Sequence, residues 1–151
     1  VVPGIGLLTV TSTFTLSKHR TRARGIICSQ SGMWEMLGEK KCAGYEIHMG
    51  ESTVNEGQAH AFAKIYNTVD GTEYMDGCVC GNGAGTYLHG IFDEKEFCEG
   101  FINMLGKRCG IATHGGSDMS FEEYKLREYY KMADAIRENM DMKYIYEIMG
   151  L

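Results

Sequence analysis

The chain has very little proline: only Pro3 occurs among its 151 residues. A proline-rich linker between domains is therefore not expected, and the length suits one domain with a sizeable core. No apolar run approaches the ~20 residues that a membrane-spanning helix needs. The N-terminus also lacks the charged and apolar regions of a signal peptide. These absences predict a single domain, residues 1–151, without a membrane partner.

The chain also lacks an excess of positive charge. Its formal net charge is −5, which argues against a nucleic-acid or anionic-membrane partner. The basic residues that are present cluster between Lys18 and Arg24. We interpret this cluster as a solvated turn between strands, with a local site for a carboxylate or phosphate as the alternative.

Cysteine is not scarce, but its spacing is typical of neither a disulfide framework nor a metal site. Six cysteines without a secretory signal favour reduced thiols in the cytoplasm. The Cys78–Cys80 pair has no second Cys-x-x-Cys or His-x-x-x-His partner at zinc-site spacing. No metal site is therefore predicted, and His19, His60 and His114 are expected to be exposed.

Cys28 lies in a segment that superficially imitates the strand-to-helix turn of a nucleophile. Such a turn is strained and needs very small residues beside the nucleophile, whereas Ser29 and Gln30 follow Cys28. No good helix follows either, because Gly32 and Gly38 interrupt the next stretch. We therefore interpret Cys28 as a thiol at the end of a strand.

The first two thirds of the chain are predicted to form strands separated by turns. Large apolar and polar side chains alternate in residues 44–49, which is typical of a strand with two different faces. Other runs typical of strands are residues 4–10, 24–28, 61–66, 78–80 and 85–92. The last two form either one strand or two.

The last third switches to helical periodicity. The expected N-caps of three helices are Asp93, Ser120 and Asp141, and a glutamate three residues after each of the first two completes a capping box. Gly110 is expected to end the first helix, and Gly115–Gly116 is the expected flexible connector. Four apolar residues share one face of the first helix: Phe97, Phe101, Met104 and Leu105. Strands before helices predict either an α+β fold or the terminal half of a larger α/β sheet.

His89 is the residue whose setting most suggests chemistry. It follows a short apolar run and precedes Gly90, where we expect a strand to end and a loop to begin. An imidazole placed there can act as a general base. The residues alone leave a structural and a catalytic role open for His89, and favour a structural role for His48.

Four segments, in chain order, resemble motifs of the CobB/CobQ-type class I glutamine amidotransferases. They are residues 4–8 with Thr13, Phe14 and Lys18; residues 44–50 with Thr53; residues 85–92 with Asp93 and Phe97; and residues 134–151. The resemblance spans nearly the whole chain. It implies an α/β fold: the C-terminal portion of a flavodoxin-like amidotransferase domain, with strands first and three helices at the C-terminus.

The resemblance also implies a chemistry in which a cysteine attacks the side-chain amide of glutamine and releases ammonia. It assigns the activation of that thiol to His89. Many class I relatives carry a glutamate two residues after this histidine, but the CobB/CobQ branch resembles this chain, which has Ile91 there, in lacking it. The implied arrangement is therefore a Cys–His dyad. Glu46 and His48 are candidate contacts of glutamine, or alternatively support the sheet and the His89 loop. The family's nucleophile lies upstream of the segment that opens this chain, so we expect a fragment that is inactive alone.

The function implied by the resemblance is the supply of ammonia for ATP-dependent amidation of corrinoid carboxylates in cobalamin biosynthesis. ATP and Mg²⁺ would serve a separate synthetase half, and no cofactor is expected in this segment. The alternatives are the amidotransferase domain of cobyrinic diamide synthase or of an enzyme that amidates muramyl peptide, or a non-catalytic interaction module. A sheet edge left exposed by missing parallel strands predicts a homodimer.

Overall fold

The computed structural model describes residues 1–28, 32–55, 57, 59–113 and 119–151. The chain divides into two compact units, Val1–Gly116 and Ser117–Leu151. All strands precede the three α-helices in the described residues, which confirms the predicted order of a mixed α/β chain. Within the same residues, no helix is both long and apolar enough to cross a membrane.

Four strands of the first unit form one antiparallel sheet in the order β2-β1-β3-β4. A separate antiparallel pair is formed by β5 and β6. The strand bounds are β1 Val10–Ile27, β2 Lys41–Val54, β3 Ala63–Asn67, β4 Glu73–Asp76, β5 Cys78–Cys80 and β6 Gly83–Gly85. The strands predicted over residues 61–66 and 78–80 are confirmed to within two residues, whereas the predicted runs 24–28 and 44–49 are parts of the much longer strands β1 and β2.

Two predictions for the first 24 residues are wrong. Residues 4–10 do not form a buried strand: β1 begins only at Val10, Gly6 adopts a left-handed φ of 76°, and residues 1–7 are exposed. The basic cluster of residues 18–24 is not a turn but lies within β1. Thr21 and Ala23 are buried while Arg20, Arg22 and Arg24 are exposed, so the arginines occupy the solvated face of a strand.

The three α-helices are α1 Lys95–Cys109, α2 Phe121–Asn139 and α3 Met142–Met149. The Ser120–Glu123 capping box of α2 is present, and the Asp141 carboxylate caps α3 by accepting the backbone N–H of Tyr144 at 3.0 Å. Gly110 ends α1 with a left-handed φ of 67°. These predictions are confirmed, whereas the expected connector Gly115–Gly116 lies outside the described residues.

The N-cap prediction for α1 is wrong. Asp93 belongs to a short 3₁₀ helix, Ile91–Asp93, and the N-cap of α1 is Glu94. The 3₁₀ turn forms because Gly90 adopts a left-handed φ of 78° and its carbonyl accepts the N–H of Asp93 at 2.8 Å.

The core of the first unit brings the sheet together with α1 and the 3₁₀ helix Gly32–Leu37. Ile27 and Ile65 are fully buried in the sheet. The α1 face predicted from periodicity is confirmed: Phe97 and Met104 are buried, and Phe101 and Leu105 pack against the same cluster. The core therefore packs against β1 and β3, while β2 carries the candidate site residues Glu46 and His48.

Candidate functional site

His89 lies outside the named strands, in an isolated antiparallel bridge with Tyr45 of β2. The N–H of Tyr45 donates to the carbonyl of His89 at 3.1 Å, and the N–H of His89 donates to the carbonyl of Tyr45 at 2.8 Å. The two rings also stack, with centroids 5.2 Å apart and planes inclined by 14°. The prediction of a strand over residues 85–92 is wrong beyond Gly85, because this single bridge replaces a continuous ladder.

The segment before His89 is held by the buried carboxylate of Asp76 at the end of β4. The hydroxyl of Thr86 and the N–H of Tyr87 both donate to this carboxylate, and the N–H of Leu88 donates to the Thr86 hydroxyl at 3.0 Å. Burial raises the pKa of Asp76 despite these hydrogen bonds, which act in the opposite direction. Sequence analysis misses Asp76, whose only signal is an acidic residue ending a short strand.

Gly44 allows β2 to approach the backbone of His89 closely. A Cβ atom at Gly44 would lie 2.1 Å from the carbonyl oxygen of His89 and 3.1 Å from Cγ of Leu88. No larger residue fits without a shift of one of the two segments. The glycine that precedes Tyr45 is therefore a requirement of the bridge that holds His89.

Glu46 and His48 lie on the face of β2 opposite to Tyr45, because successive side chains of a strand alternate. Glu46 is 1 % exposed, and its Oε2 accepts the hydroxyl of Tyr74 at 2.7 Å. The same oxygen lies 3.2 Å from Nε2 of His19 and 3.7 Å from Nε2 of His48. The side chains of Tyr74, His19 and His48 therefore surround one buried oxygen of Glu46.

The strand register explains why this convergence is invisible in local spacing. His19 pairs with His48 across the β1–β2 ladder, and Thr21 pairs with Glu46. The register shifts between Phe14 and His19, where β1 inserts four residues against one of β2. His19 was expected to be exposed but is partly buried beside Glu46. His60 is exposed, as predicted, and His114 lies outside the described residues.

A cavity of about 760 Å³ borders this cluster and is lined by His19, Glu46, His48 and Asp76, among others. His89 is not one of its lining residues. The ring of His89 lies instead with Tyr45, on the other face of β2. The structure thus brings the predicted residues Glu46 and His48 together and separates both from the ring of His89.

The arginine face of β1 lies on the same side of the sheet as Tyr45, since Arg22 pairs directly with Tyr45. Arg22 and Arg24 line a second cavity of about 420 Å³ together with Gly44 and Thr68. The carboxylate or phosphate site suggested by the basic cluster stays a prediction, now placed on the Tyr45 side of the sheet.

Cys28 directly follows β1 and is partly buried. Burial raises the pKa of its thiol, and the nearby carboxylate of Glu39 raises it further. Because the thiolate is the reactive form, a raised pKa makes this thiol a poor nucleophile at neutral pH. The environment is that of the strand-end thiol expected from the sequence.

Comparison with known proteins relates residues 1–97 to a CobB/CobQ-like glutamine amidotransferase domain. Curated relatives include the cobyric acid synthases of Lachnoclostridium phytofermentans (38% identical over 155 residues) and Alkaliphilus metalliredigens (40% over 152 residues). Another is the cobyric acid synthase of Ruminiclostridium cellulolyticum, 37% identical over 147 residues. These alignments cover 97–98% of this chain but 29–30% of the relatives. The chain therefore spans about 30% of the length of the curated relatives that it matches.

Proposed function

Because the chain belongs to the CobB/CobQ-like glutamine amidotransferase family, we propose that it contributes to an enzyme that releases ammonia from glutamine. The observation that carries the proposal is the family match over residues 1–97, which contains His89 and the β2 segment that holds it. The relatives named cobyric acid synthase favour a corrinoid carboxylate as the acceptor of the ammonia.

In the proposed reaction, His89 takes the proton of a cysteine thiol as the sulfur attacks the side-chain carbonyl carbon of glutamine. The C–N bond then breaks, and His89 returns the proton to the departing ammonia. Water hydrolyses the glutamyl thioester to glutamate and restores the thiol. None of the six cysteines here has glycine on both sides, so we propose that the nucleophile comes from residues outside this sequence.

The structure provides His89 with an orienting contact that is not a carboxylate. Ile91 is buried at the position where the resemblance places a glutamate in many class I amidotransferases outside the CobB/CobQ branch. The His89 ring instead stacks on Tyr45, and two backbone hydrogen bonds fix the spacing of the two residues. We therefore propose Tyr45 as a positioning residue for the base.

The position of Glu46 and His48 favours one of their two predicted roles. A glutamine held against the ring of His89 would lie on the Tyr45 face of β2, whereas these two side chains lie on the opposite face. Support of the sheet and of the His89 segment is thus favoured over direct contact with glutamine.

ATP and Mg²⁺ are proposed for the amidation step in the complete enzyme. The resemblance assigns them to a synthetase half, so we propose no role in that step for the residues described here. We also propose a cytoplasmic location, where the six free cysteines would remain reduced.

The experiment is to compare His89→Ala with wild type in the enzyme that contains this chain, with glutamine or with ammonium as nitrogen source. We expect the glutamine-dependent rate to fall by ~10²–10⁴-fold, the contribution of a general base. The ammonium-dependent rate should be unchanged, because free ammonia bypasses the step that His89 serves. His60→Ala, which alters an exposed histidine, is the matched control.

An equal loss with both nitrogen sources would assign His89 a structural role and contradict the proposal. The 151-residue chain alone is expected to show no glutaminase activity. Glutaminase activity that is present in the chain and abolished by Cys28→Ala would instead identify Cys28 as the nucleophile.

A further inference from the structure

We propose that His19, Glu46 and His48 form a binding site for a divalent transition-metal ion, with Zn²⁺ as the test case. The ligand atoms that the three residues offer all lie within 4.8 Å of one another. The site lies on the opposite face of β2 from the ring of His89, so it is independent of the glutamine chemistry proposed above.

Two of the three distances between ligand atoms are already those of a metal site, and all three lie within 4.8 Å. Nε2 of His19 and Nε2 of His48 lie 3.2 and 3.7 Å from Oε2 of Glu46. Bonds of about 2.0–2.1 Å in a tetrahedral zinc site place neighbouring ligand atoms ~3.4 Å apart. Two imidazoles and one carboxylate are also a ligand set that zinc uses in proteins.

The hydrogen bond made by Nδ1 of His48 fixes the orientation of the ring relative to Glu46. Nδ1 lies 2.6 Å from the carbonyl oxygen of Gly50. A carbonyl only accepts, so Nδ1 donates this hydrogen bond, and Nε2 is the ring nitrogen that faces Oε2 of Glu46. An Nδ1–H donated to a backbone carbonyl is also the usual arrangement in a metal-binding histidine.

The burial of Glu46 supplies an independent reason for a cation. Its Oε1 is buried and has no hydrogen-bond partner among the described residues. A buried carboxylate is costly unless it is paired with positive charge or coordinates a metal. Asp76, a second buried carboxylate, lines the same cavity and adds negative potential. A divalent ion at Oε2 would neutralise Glu46 and offer its Oε1 a second point of coordination.

The surroundings complete the site. The hydroxyl of Tyr74 donates to Oε2 of Glu46 at 2.7 Å, which orients the carboxylate as partners of metal ligands do. The cavity of about 760 Å³ beside the three ligands has room for a water molecule or a small anion at a fourth position. Three protein ligands with one open position are typical of catalytic zinc sites rather than of closed structural ones.

The test measures zinc binding to the purified chain after dialysis against a chelator, by calorimetry and by metal analysis. We expect one Zn²⁺ per chain. His19→Ala and His48→Ala should each weaken binding by at least ~10-fold, because loss of a residue that only supports a ligand already costs ~10–100-fold. Glu46→Gln should do the same while keeping the side-chain shape. His60→Ala, outside the cluster, should bind like wild type.

Cobalt substitution separates this site from adventitious binding by thiols. We expect a Co²⁺ spectrum without a sulfur-to-cobalt charge-transfer band. Such a band, or zinc affinity unchanged in both histidine variants, would overturn the proposal, as would failure of the wild type to bind one equivalent. Circular dichroism monitors the folding of each variant. If Glu46→Gln unfolds, His19→Ala still tests the site, because His19 is partly exposed.

Discussion

Replacement of Gly44 by alanine tests whether the approach of β2 to the His89 backbone holds that segment in place. The new Cβ would lie 2.1 Å from the carbonyl oxygen of His89, whereas Cβ atoms in proteins essentially never lie within 3.0 Å of such an atom. One of the two segments must therefore move. This movement would lengthen or break the two reciprocal hydrogen bonds between Tyr45 and His89.

The size of the effect follows from those two bonds. Each contributes a net ~0.5–1.5 kcal/mol, so their loss costs ~1–3 kcal/mol of unfolding free energy. Alanine also lowers the conformational entropy of the unfolded chain, which offsets ~0.4–1 kcal/mol of this loss in unfolding free energy. We expect Gly44→Ala to lower the free energy of unfolding by about 1–2 kcal/mol.

Urea denaturation followed by the fluorescence of Trp34 measures this loss. Trp34 is the only tryptophan and is buried in the core of the first unit, so it reports on the unit that contains the substitution. Gly4→Ala is the matched control, because nothing lies within 4 Å of a Cβ at Gly4 and its φ is not left-handed. If Gly44→Ala were no less stable than Gly4→Ala, the bridge would not hold His89 as we argue.

Two further predictions concern a buried acid and a sheet edge. Burial raises the pKa of Asp76 above its value in the unfolded chain. The free energy of unfolding therefore falls as the pH rises from about 4, the unfolded pKa, through the folded pKa. Asp76→Asn should therefore gain stability relative to wild type with rising pH, and a pH-independent difference in urea midpoint would contradict this. We also propose a homodimer, because β2 is an edge of the sheet. Sedimentation velocity should show a dimer whose fraction rises with concentration. A monomer at every concentration would refute the proposal.

The features that sequence reasoning predicts well are local. The Ser120–Glu123 capping box and the glycine that ends α1 depend on residues within one helical turn, and both are present. The N-cap of α1 fails because Gly90 starts a 3₁₀ turn that absorbs Asp93. A turn outside the helix thus decided a boundary that the capping pattern alone could not.

The candidate site depends on contacts that no local pattern encodes. The two faces of residues 44–49 are predictable from alternation, but not which face turns inward: Glu46 is buried, whereas Tyr45 and Ile47 are exposed. The approach of His19 to Glu46 depends on the register of β1 against β2 and on the irregularity that shifts it. Strand register is a long-range property, which is why spacing along the chain predicts no metal site.

The register shift between Phe14 and His19 divides the β1–β2 hairpin into two ladders with different local stabilities. The outer ladder, Val10–Phe14 against Gly50–Val54, consists mostly of exposed residues, whereas the inner one is anchored by buried side chains such as Ala23 and Cys42. Segments with few buried contacts open at much lower free energy than the global transition. Val10 and residues 52–54 line the 760 Å³ cavity. Fraying of the outer ladder would therefore widen access to the buried Glu46 from the side of the partly exposed His19, while the rest of the unit stays folded.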